Sequence, residues 1–336
     1  MAFEKVLTRA EFRQRVEELV GVKFPLLSAG YIMLQDAMGG DAAVLQAART
    51  TSDLQPKGAE ADEILMRYLM RHRHGTPSEF AQVAIEVMIP MDAHRQFVRH
   101  RMASINEYST RYSPAIDVAD TTPEDAWRTQ STTNRQGSGG SLTAWPEGWT
   151  YDSEQNRVAS PDGSFTMTCN EDISTPGKLL SLEERELQQK ARQVYDRRLQ
   201  LGVAKEQARK DLPLSTYTKL WWTADLRNIF HFLGLRMDSH AQKEIREYAT
   251  TFGEKIIKHL FPCSYQAFEH YELKAMRLSA LDIEVVRKLP NIATVTMNRL
   301  LTACPPEWQG ARCRERDELV EKLRRLGFSI EDAQQS

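Results

Sequence analysis

Val83, Ile85, Val87 and Ile89 alternate with Ala84, Glu86 and Met88, and the run ends at Pro90. A period of two is that of a strand, whose successive side chains point to opposite faces, and the proline closes it. The residues on either side follow a different period. Ile64, Leu65, Tyr68 and Leu69 share one face of a helix over residues 59–73, which Gly75 and Pro77 stop. Met91 to about Arg101 is again helical in spacing, and residues 104–114 are polar and read as a functional loop or irregular turn. Thr8, with Glu11 three residues on, predicts a capped helix to about Val20.

The same alternation of periods continues towards the C-terminus. Residues 181–201 predict a charged amphipathic helix closed by Gly202, followed by a short helix at 203–211 and a strand at 215–223. Asp225 to Leu233 predicts a helix closed by Gly234. Asp238 or Ser239 then caps a long helix with Ala241, Ile245, Tyr248, Phe252 and Ile256 as its buried stripe. Further helices are expected from about 264, ending in the charged segment 312–326. Between the halves lies a stretch of different composition. Residues 131–141 are rich in Gly, Ser and Thr and read as a linker. Pro161-Asp162-Gly163 marks a turn within an expected hairpin at 149–168. The expected organisation is therefore 1–115 as the first half of a catalytic domain, 116–178 as a partly mobile insertion, 179–270 as the second half, and 271–336 as a helical extension.

Composition narrows the function. Hydrophobic residues at 41% and charged residues at 27% exclude wholesale disorder over 336 residues. Lys plus Arg at 44 against Asp plus Glu at 46 argues against a nucleic-acid coat protein. No apolar run is long enough to span a bilayer, and Met1-Ala2-Phe3-Glu4-Lys5 has no signal-like core, so a cytoplasmic protein is expected. Cys169, Cys263, Cys304 and Cys313 form no C-x-x-C pair, so free thiols and no metal site are expected. Several residues read as structural: Gly39-Gly40-Asp41 as a turn, Cys263 as packing, Trp221-Trp222 as core or subunit interface, His240 as a backbone partner, and His259 and His270 as surface or packing residues.

The densest chemistry lies in 94–111, where His94, Arg95, Gln96, Arg99, His100, Arg101, Ser104, Asn106, Glu107, Ser109 and Arg111 crowd together. Ser109 and Arg111 alternate, so an extended turn would point both the same way. Two readings stand on the residues alone. The segment is a solvated basic helix with a capping loop, or it is an anion site built from the side chains that hydrogen-bond phosphates and bases.

Arg99-His100-Arg101-Met102-Ala103-Ser104-Ile105-Asn106-Glu107-Tyr108-Ser109-Thr110-Arg111 fits R-H-R-x-x-S-x-N-E-x-S-x-R at every fixed position. That pattern resembles the signature of the flavin-dependent thymidylate synthases. The likeness extends to Tyr68-Leu69-Met70 with His74-Gly75-Thr76-Pro77-Ser78-Glu79, to Ala208-Arg209 with Leu212-Pro213-Leu214, and to Leu235-Arg236 with Ala241-Gln242. It implies an α/β (α+β) fold of long helices on a mainly antiparallel sheet, with flavin bound outside a Rossmann frame. No G-x-G-x-x-G joins a strand to a helix here, in keeping with that. It also implies reductive methylation of dUMP to dTMP, with FAD as redox cofactor, NADPH as hydride source and methylenetetrahydrofolate as carbon donor. The implied assembly is a homotetramer with shared active sites, and no nucleic-acid or membrane partner is expected.

Carried over residue by residue, the resemblance places Gln96, Arg99, Glu107, Tyr108, Ser109, Thr110, Arg111, Arg209 and Arg236 on dUMP, the last as the catalytic cation facing the uracil. It places His74, Thr76, Arg99, His100, Arg101, Glu107, Asp225, Arg227 and His231 on FAD. Asp225 and His231 stand where the family usually has Asn, so an ionised Asp225 forfeits a donor role. A relative that leaves a hydroxymethyl group on dUMP, or that acts on another pyrimidine nucleotide, would carry the same loop. So would a nucleotide- or nucleic-acid-binding protein that kept the fold.

Overall fold

The Thr8 hydroxyl accepts the Glu11 N–H at 3.2 Å, and the Glu11 carboxylate accepts the Thr8 N–H at 2.7 Å. This reciprocal cap starts α1 (Arg9–Leu19), which buries Phe12 and Val16. The computed structural model describes residues 4–50, 58–132, 137–288, 294–304, 314–326 and 328–331. They divide into two compact units, Met1–Leu273 and Lys274–Ser336.

In the first unit α1 leads to β1 (Lys23–Leu26) and β2 (Gly30–Met38). Gly39 and Gly40, both at positive φ, turn the chain into α2 (Gly40–Thr50). Next come α3 (Ala59–Arg71), a 3-10 turn at Thr76–Phe80, β3 (Gln82–Pro90), α4 (Met91–Phe97) and β4 (Ser104–Glu107). On α3 the buried residues are Met66 and Leu69, whereas Ile64 and Tyr68 of the expected apolar face are exposed. Two expectations are corrected at α4 and β4. The helix stops at Phe97 rather than Arg101, and the start of the expected loop is a strand. Pairing with a neighbouring strand outweighs the local helical spacing there, and polar residues suit an edge strand.

The insertion adds β5 (Arg128–Gln130) paired with β6 (Ser138–Ser141). The expected linker is thus partly a strand; its residues 133–136 lie outside the described residues. A separate three-stranded sheet follows, β7 (Thr150–Asp152), β8 (Arg157–Ala159) and β9 (Thr166–Thr168), one strand more than the expected hairpin. Val158, Ile173, Leu179 and Leu182 form its core, with Trp145 and Trp149 stacked alongside. The chain returns through α5 (Pro176–Gln200), capped by Thr175, and the short α6 (Lys205–Ala208).

β10 (Tyr217–Asp225) then enters the main sheet, whose order is β1-β2-β3-β10-β4 with every pairing antiparallel. A mixed α/β unit on an antiparallel sheet excludes the doubly wound parallel class. Leu220 sits opposite both Val87 and Glu107, so β10 sets the register of the signature segment. Val83, Ile85, Val87, Ile89, Leu220 and Trp222 are buried beneath α7 (Leu226–Arg236) and α8 (Lys243–Thr251). Each such aliphatic side chain contributes about 1.5–3 kcal/mol by leaving water.

Helix α7 runs through Gly234 instead of ending there. The glycine is not at positive φ, and the site of a Cβ would lie 3.7 Å from the Phe268 ring, so it is a packing glycine and not a cap. The long helix expected from Asp238 starts only at Lys243; Asp238 instead accepts the His240 N–H in a turn. Its end is wound as a π-helix at Phe252–Ile257 before α9 (Lys258–Leu260) and α10 (Pro262–Phe268). Asp41 is not a turn residue. It is fully buried in α2, and its carboxylate accepts the N–H groups of Cys263 and Ser264 and the Ser264 hydroxyl.

The second unit holds α11 (Ala280–Lys288), β11 (Thr294–Thr296), α12 (Met297–Ala303), α13 (Arg314–Arg325) and β12 (Ser329–Glu331). β11 and β12 pair in parallel, and Val285, Leu300, Leu319 and Leu323 are fully buried in its own core. The buried Asp282 caps α11 through Ser279 and meets Lys322 at 2.5 Å. Residues 312 and 313 of the expected charged segment lie outside the described residues.

Candidate active site

Arg236 lies in the last turn of α7, half-buried against the end of α4. Its Nε donates to His100 Nε2 at 3.1 Å and its Nη1 to Gln96 Oε1 at 3.2 Å. Burial, the adjoining guanidinium and His231 push His100 down to about 4, so the imidazole is neutral at pH 7. A neutral ring that accepts at Nε2 carries its proton on Nδ1. His231 packs edge-on against His100 at 5.8 Å and Phe232 does so at 4.9 Å, which fixes the ring plane.

A second group forms where β4 meets β10. Glu107 accepts the buried Thr218 hydroxyl at 2.9 Å, and its other oxygen lies 3.8 Å from His94 Nε2. That nitrogen is buried with no hydrogen-bond partner among the described residues, and burial lowers the His94 pKa. Beyond Glu107 the chain tightens into a turn. The Ser113 N–H reaches Ser109 O at 3.0 Å and the Arg111 N–H reaches Ser109 Oγ at 3.3 Å. The expected extended geometry at Ser109 and Arg111 is therefore replaced by a closed turn, because these backbone bonds stabilise it. Tyr108 anchors the turn through its hydroxyl on Pro114 O at 2.8 Å. The buried Thr110 accepts Arg209 Nη1 at 2.5 Å, Lys205 Nζ donates to Tyr112 O at 2.7 Å, and Arg111 lies exposed, 3.7 Å from Glu206. Three cations around a turn of hydroxyls and N–H groups make a site for an oxyanion.

The third group sits at the opposite end of α7. Asp225 is the helix cap, accepting the Asn228 N–H at 2.9 Å and its side-chain amide at 2.7 Å. A carboxylate used for capping does not need to donate, so Asp serves here. Arg227 pairs with Glu79 and packs on the backbone at Gly75, where a Cβ would fall 2.7 Å from Arg227 Nε. His74 stacks on Tyr68 at 5.4 Å. His74, Thr76, Tyr68 and Leu69 border a cavity of about 1290 Å³ that Arg9 and Arg13 also line.

The structure thus brings Gln96, His100, His231 and Arg236 together. Ser109, Thr110, Arg111 and Arg209 form a second cluster, with Glu107 set apart by its Thr218 contact. His74, Thr76, Asp225 and Arg227 stand about one helix length away. Arg99 and Arg101 are exposed and make no hydrogen bond or ion pair among the described residues. Thr218, Lys205 and Glu206 also border these groups. Only the strand register puts Thr218 beside Glu107, and no local sequence signal marks it.

None of the described cysteines is placed as a nucleophile. Cys263 is buried, its thiol pushed up by burial and by Asp41, and Cys169 belongs to the core of the three-stranded sheet. Cys313 lies outside the described residues. A folded variant with all four cysteines changed to Ser is expected to keep its turnover. Loss of turnover in folded Cys263→Ser, with ligands still bound, would reopen covalent catalysis.

A neutral imidazole holding a half-buried guanidinium, and a turn of hydroxyls and N–H groups flanked by cations, are the chemistry of a site for an anionic ligand. The chain belongs to the thymidylate synthase complementing protein family, whose model matches residues 33–263. It is 39% identical over 294 residues to the flavin-dependent thymidylate synthase of Gluconobacter oxydans (strain 621H), covering 87% of this chain and 88% of that protein. A Thermus thermophilus flavin-dependent thymidylate synthase is 37% identical over 265 residues, covering 79% and 85%. Among solved structures, a UMP/dUMP methylase, PolB, from Streptomyces cacaoi bound with 5-Br dUMP is similar with a TM-score of 0.57 and 27% identity. The match covers 74% of this chain and 99% of that one.

Proposed function

We propose that the protein catalyses reductive methylation of dUMP to dTMP, with FAD, NADPH and methylenetetrahydrofolate. The observation that carries this reading is Arg236, held by Gln96 and a neutral His100, in a chain of this family. Arg236 faces the uracil and favours the electron-rich, N3-ionised ring. Gln96, Arg99, Glu107 and Arg209 hold the nucleotide. Tyr108, Ser109, Thr110 and Arg111 hold its phosphate.

The residues present also fit a flavin. The cavity beside His74 and Thr76 has an aromatic wall and cationic margins, and Gly75 leaves room for Arg227 to lie flat on the backbone. His74, Thr76, Arg99, His100, Arg101, Glu107, Asp225, Arg227 and His231 would hold it in a non-Rossmann flavin fold. When bound, it carries hydride equivalents between the nicotinamide and the one-carbon unit.

A homotetramer with shared active sites belongs to the same reading. Among the described residues Arg99 and Arg101 meet no acceptor, and Trp221 is 46% exposed on the sheet, which a second copy would cover. No helix among the described residues is long and apolar enough to cross a membrane. A cytoplasmic setting belongs to the same reading.

The deciding experiment is incubation with dUMP, NADPH and methylenetetrahydrofolate, followed by mass analysis of the nucleotide. The dTMP mass is expected; a hydroxymethyl product or unchanged dUMP overturns the reading. UMP belongs in a parallel arm, because the similar Streptomyces structure is that of a UMP/dUMP methylase. The phosphate assignment has its own test. Arg111→Ala removes a charge-assisted contact of roughly 1.5–3 kcal/mol. Weakening of dUMP binding by about tenfold or more is expected, with flavin retained. An unchanged dUMP titration would remove Arg111 from the site.

A further inference from the structure

Beyond the residues that face the ligands, a line of side chains runs from Arg236 into the protein. Arg236 Nη1 donates to Gln96 Oε1 at 3.2 Å, Gln96 Nε2 donates to Gln242 Oε1 at 2.5 Å, and Gln242 Nε2 donates to Asp92 Oδ2 at 3.3 Å. We infer that Asp92 and Gln242 are positioning residues, which polarise this chain of hydrogen bonds and thereby hold the Arg236 guanidinium in its catalytic orientation. The inference rests on the reading that Arg236 faces the uracil.

The direction of the chain follows from its ends. A guanidinium only donates and a carboxylate only accepts, whereas each amide between them does one at each end. Only one orientation of both amides satisfies every link, so the carbonyl of Gln96 must face Arg236. A flipped Gln96 would turn its NH2 group onto the guanidinium and leave two donors opposed. Asp92 is committed to its place, since its other oxygen accepts the Ala93 N–H at 2.7 Å. Nearby, Arg128 pairs with Glu244 in the first turn of α8 at 2.7 Å. The Asp92 carboxylate therefore holds the Gln242 NH2 group inward. Asp92 and Gln96 share one face of α4, four residues apart, while Gln242 is the residue before α8. The chain thus links the ends of three helices, α4, α7 and α8, at the point where Arg236 emerges. Two of the five Arg236 donors serve Gln96 and His100, which leaves the other three as the outlet.

Gln242→Met keeps the volume and cuts the chain. Asp92→Asn keeps the shape but offers one carbonyl oxygen to two donors. Each is expected to lower kcat by about tenfold to a hundredfold, with KM for dUMP, flavin content and melting temperature near those of the parent enzyme. The readout that separates positioning from mere support is a double-mutant cycle with Arg236→Ala. If Gln242 acts through Arg236, Gln242→Met has no further effect on kcat once Arg236 is gone. Unchanged turnover in folded Gln242→Met and Asp92→Asn, or an equal loss in the Arg236→Ala background, overturns the inference. Should Gln242→Met not fold, Asp92→Asn carries the same cycle. Wild-type turnover in Arg236→Ala alone would instead overturn the uracil assignment, and this inference with it.

Discussion

Arg236→Ala is expected to lower dTMP formation by about a hundred- to a thousandfold, the usual cost of losing a fixed donor to a developing anion. The protein should remain folded and yellow, because Arg236 is half-buried at the end of α7 and the proposed flavin site includes other residues. Two of the five guanidinium donors already serve His100 and Gln96, so the group is oriented before any ligand arrives. Its contribution should grow as charge builds on the uracil ring, which makes it a transition-state contact more than a ground-state one. Arg236→Lys should recover only part, because a point charge cannot reproduce the planar fork. The measurement is dTMP formation together with NADPH-driven flavin reduction. Near wild-type dTMP formation in Arg236→Ala would end the uracil-activation role.

Asp41→Ala is expected to destabilise the main unit by roughly 3–5 kcal/mol, because it strands buried N–H and hydroxyl donors of α10. Burial pushes Asp41 up to about 6, against the hydrogen bonds from Ser264 and Cys263 that lower it. The folded protein then holds this proton more tightly than the unfolded chain. Stability from this group is accordingly greatest in acid and falls as pH rises from 3.8 towards about 6. The fall amounts to roughly 3 kcal/mol and levels off above that window. Urea midpoints of parent and variant across pH 4–7 provide the check. The parent should show this downward component and Asp41→Ala should lack it. Equal midpoints at every pH would show that Asp41 is not a structural acceptor.

The sequence made the period-two strand, the Thr8 cap and the signature loop legible, since each is a local pattern with a local cause. Val83 to Ile89 needed only alternation, and Glu11 needed only its spacing from Thr8. Elements decided by distant partners were read less well. Ser104–Glu107 is a strand because β10 offers it an edge, and α4 ends early for the same reason. Gly234 reads as a stop because glycine often ends helices, but here the neighbouring Phe268 ring makes use of the missing side chain. Asp41 resembled a turn residue beside two glycines; its burial depends on α10, more than two hundred residues away in the chain. The site divides along the same line. Arg236, His100 and Gln96 stand in recognisable motifs, while Thr218, Asp92 and Gln242 gain their roles only from three-dimensional neighbours.

β10 imposes a length as well as a register. Thr218 touches Glu107 near its start, and Asp225 caps α7 at its finish. At about 3.4 Å per residue, the intervening strand sets these two points roughly 24 Å apart. The distance between Glu107 and the helix that carries Arg227 is thus counted in whole residues and cannot drift. One residue added to β10 would both lengthen that span and turn Thr218 away from Glu107, because neighbouring side chains point to opposite faces. The long excursion at 116–178 leaves the span untouched, since it enters and leaves the chain before the strand begins. Growth of the protein is thereby tolerated where the chain loops outward and barred where it measures the gap between the two clusters.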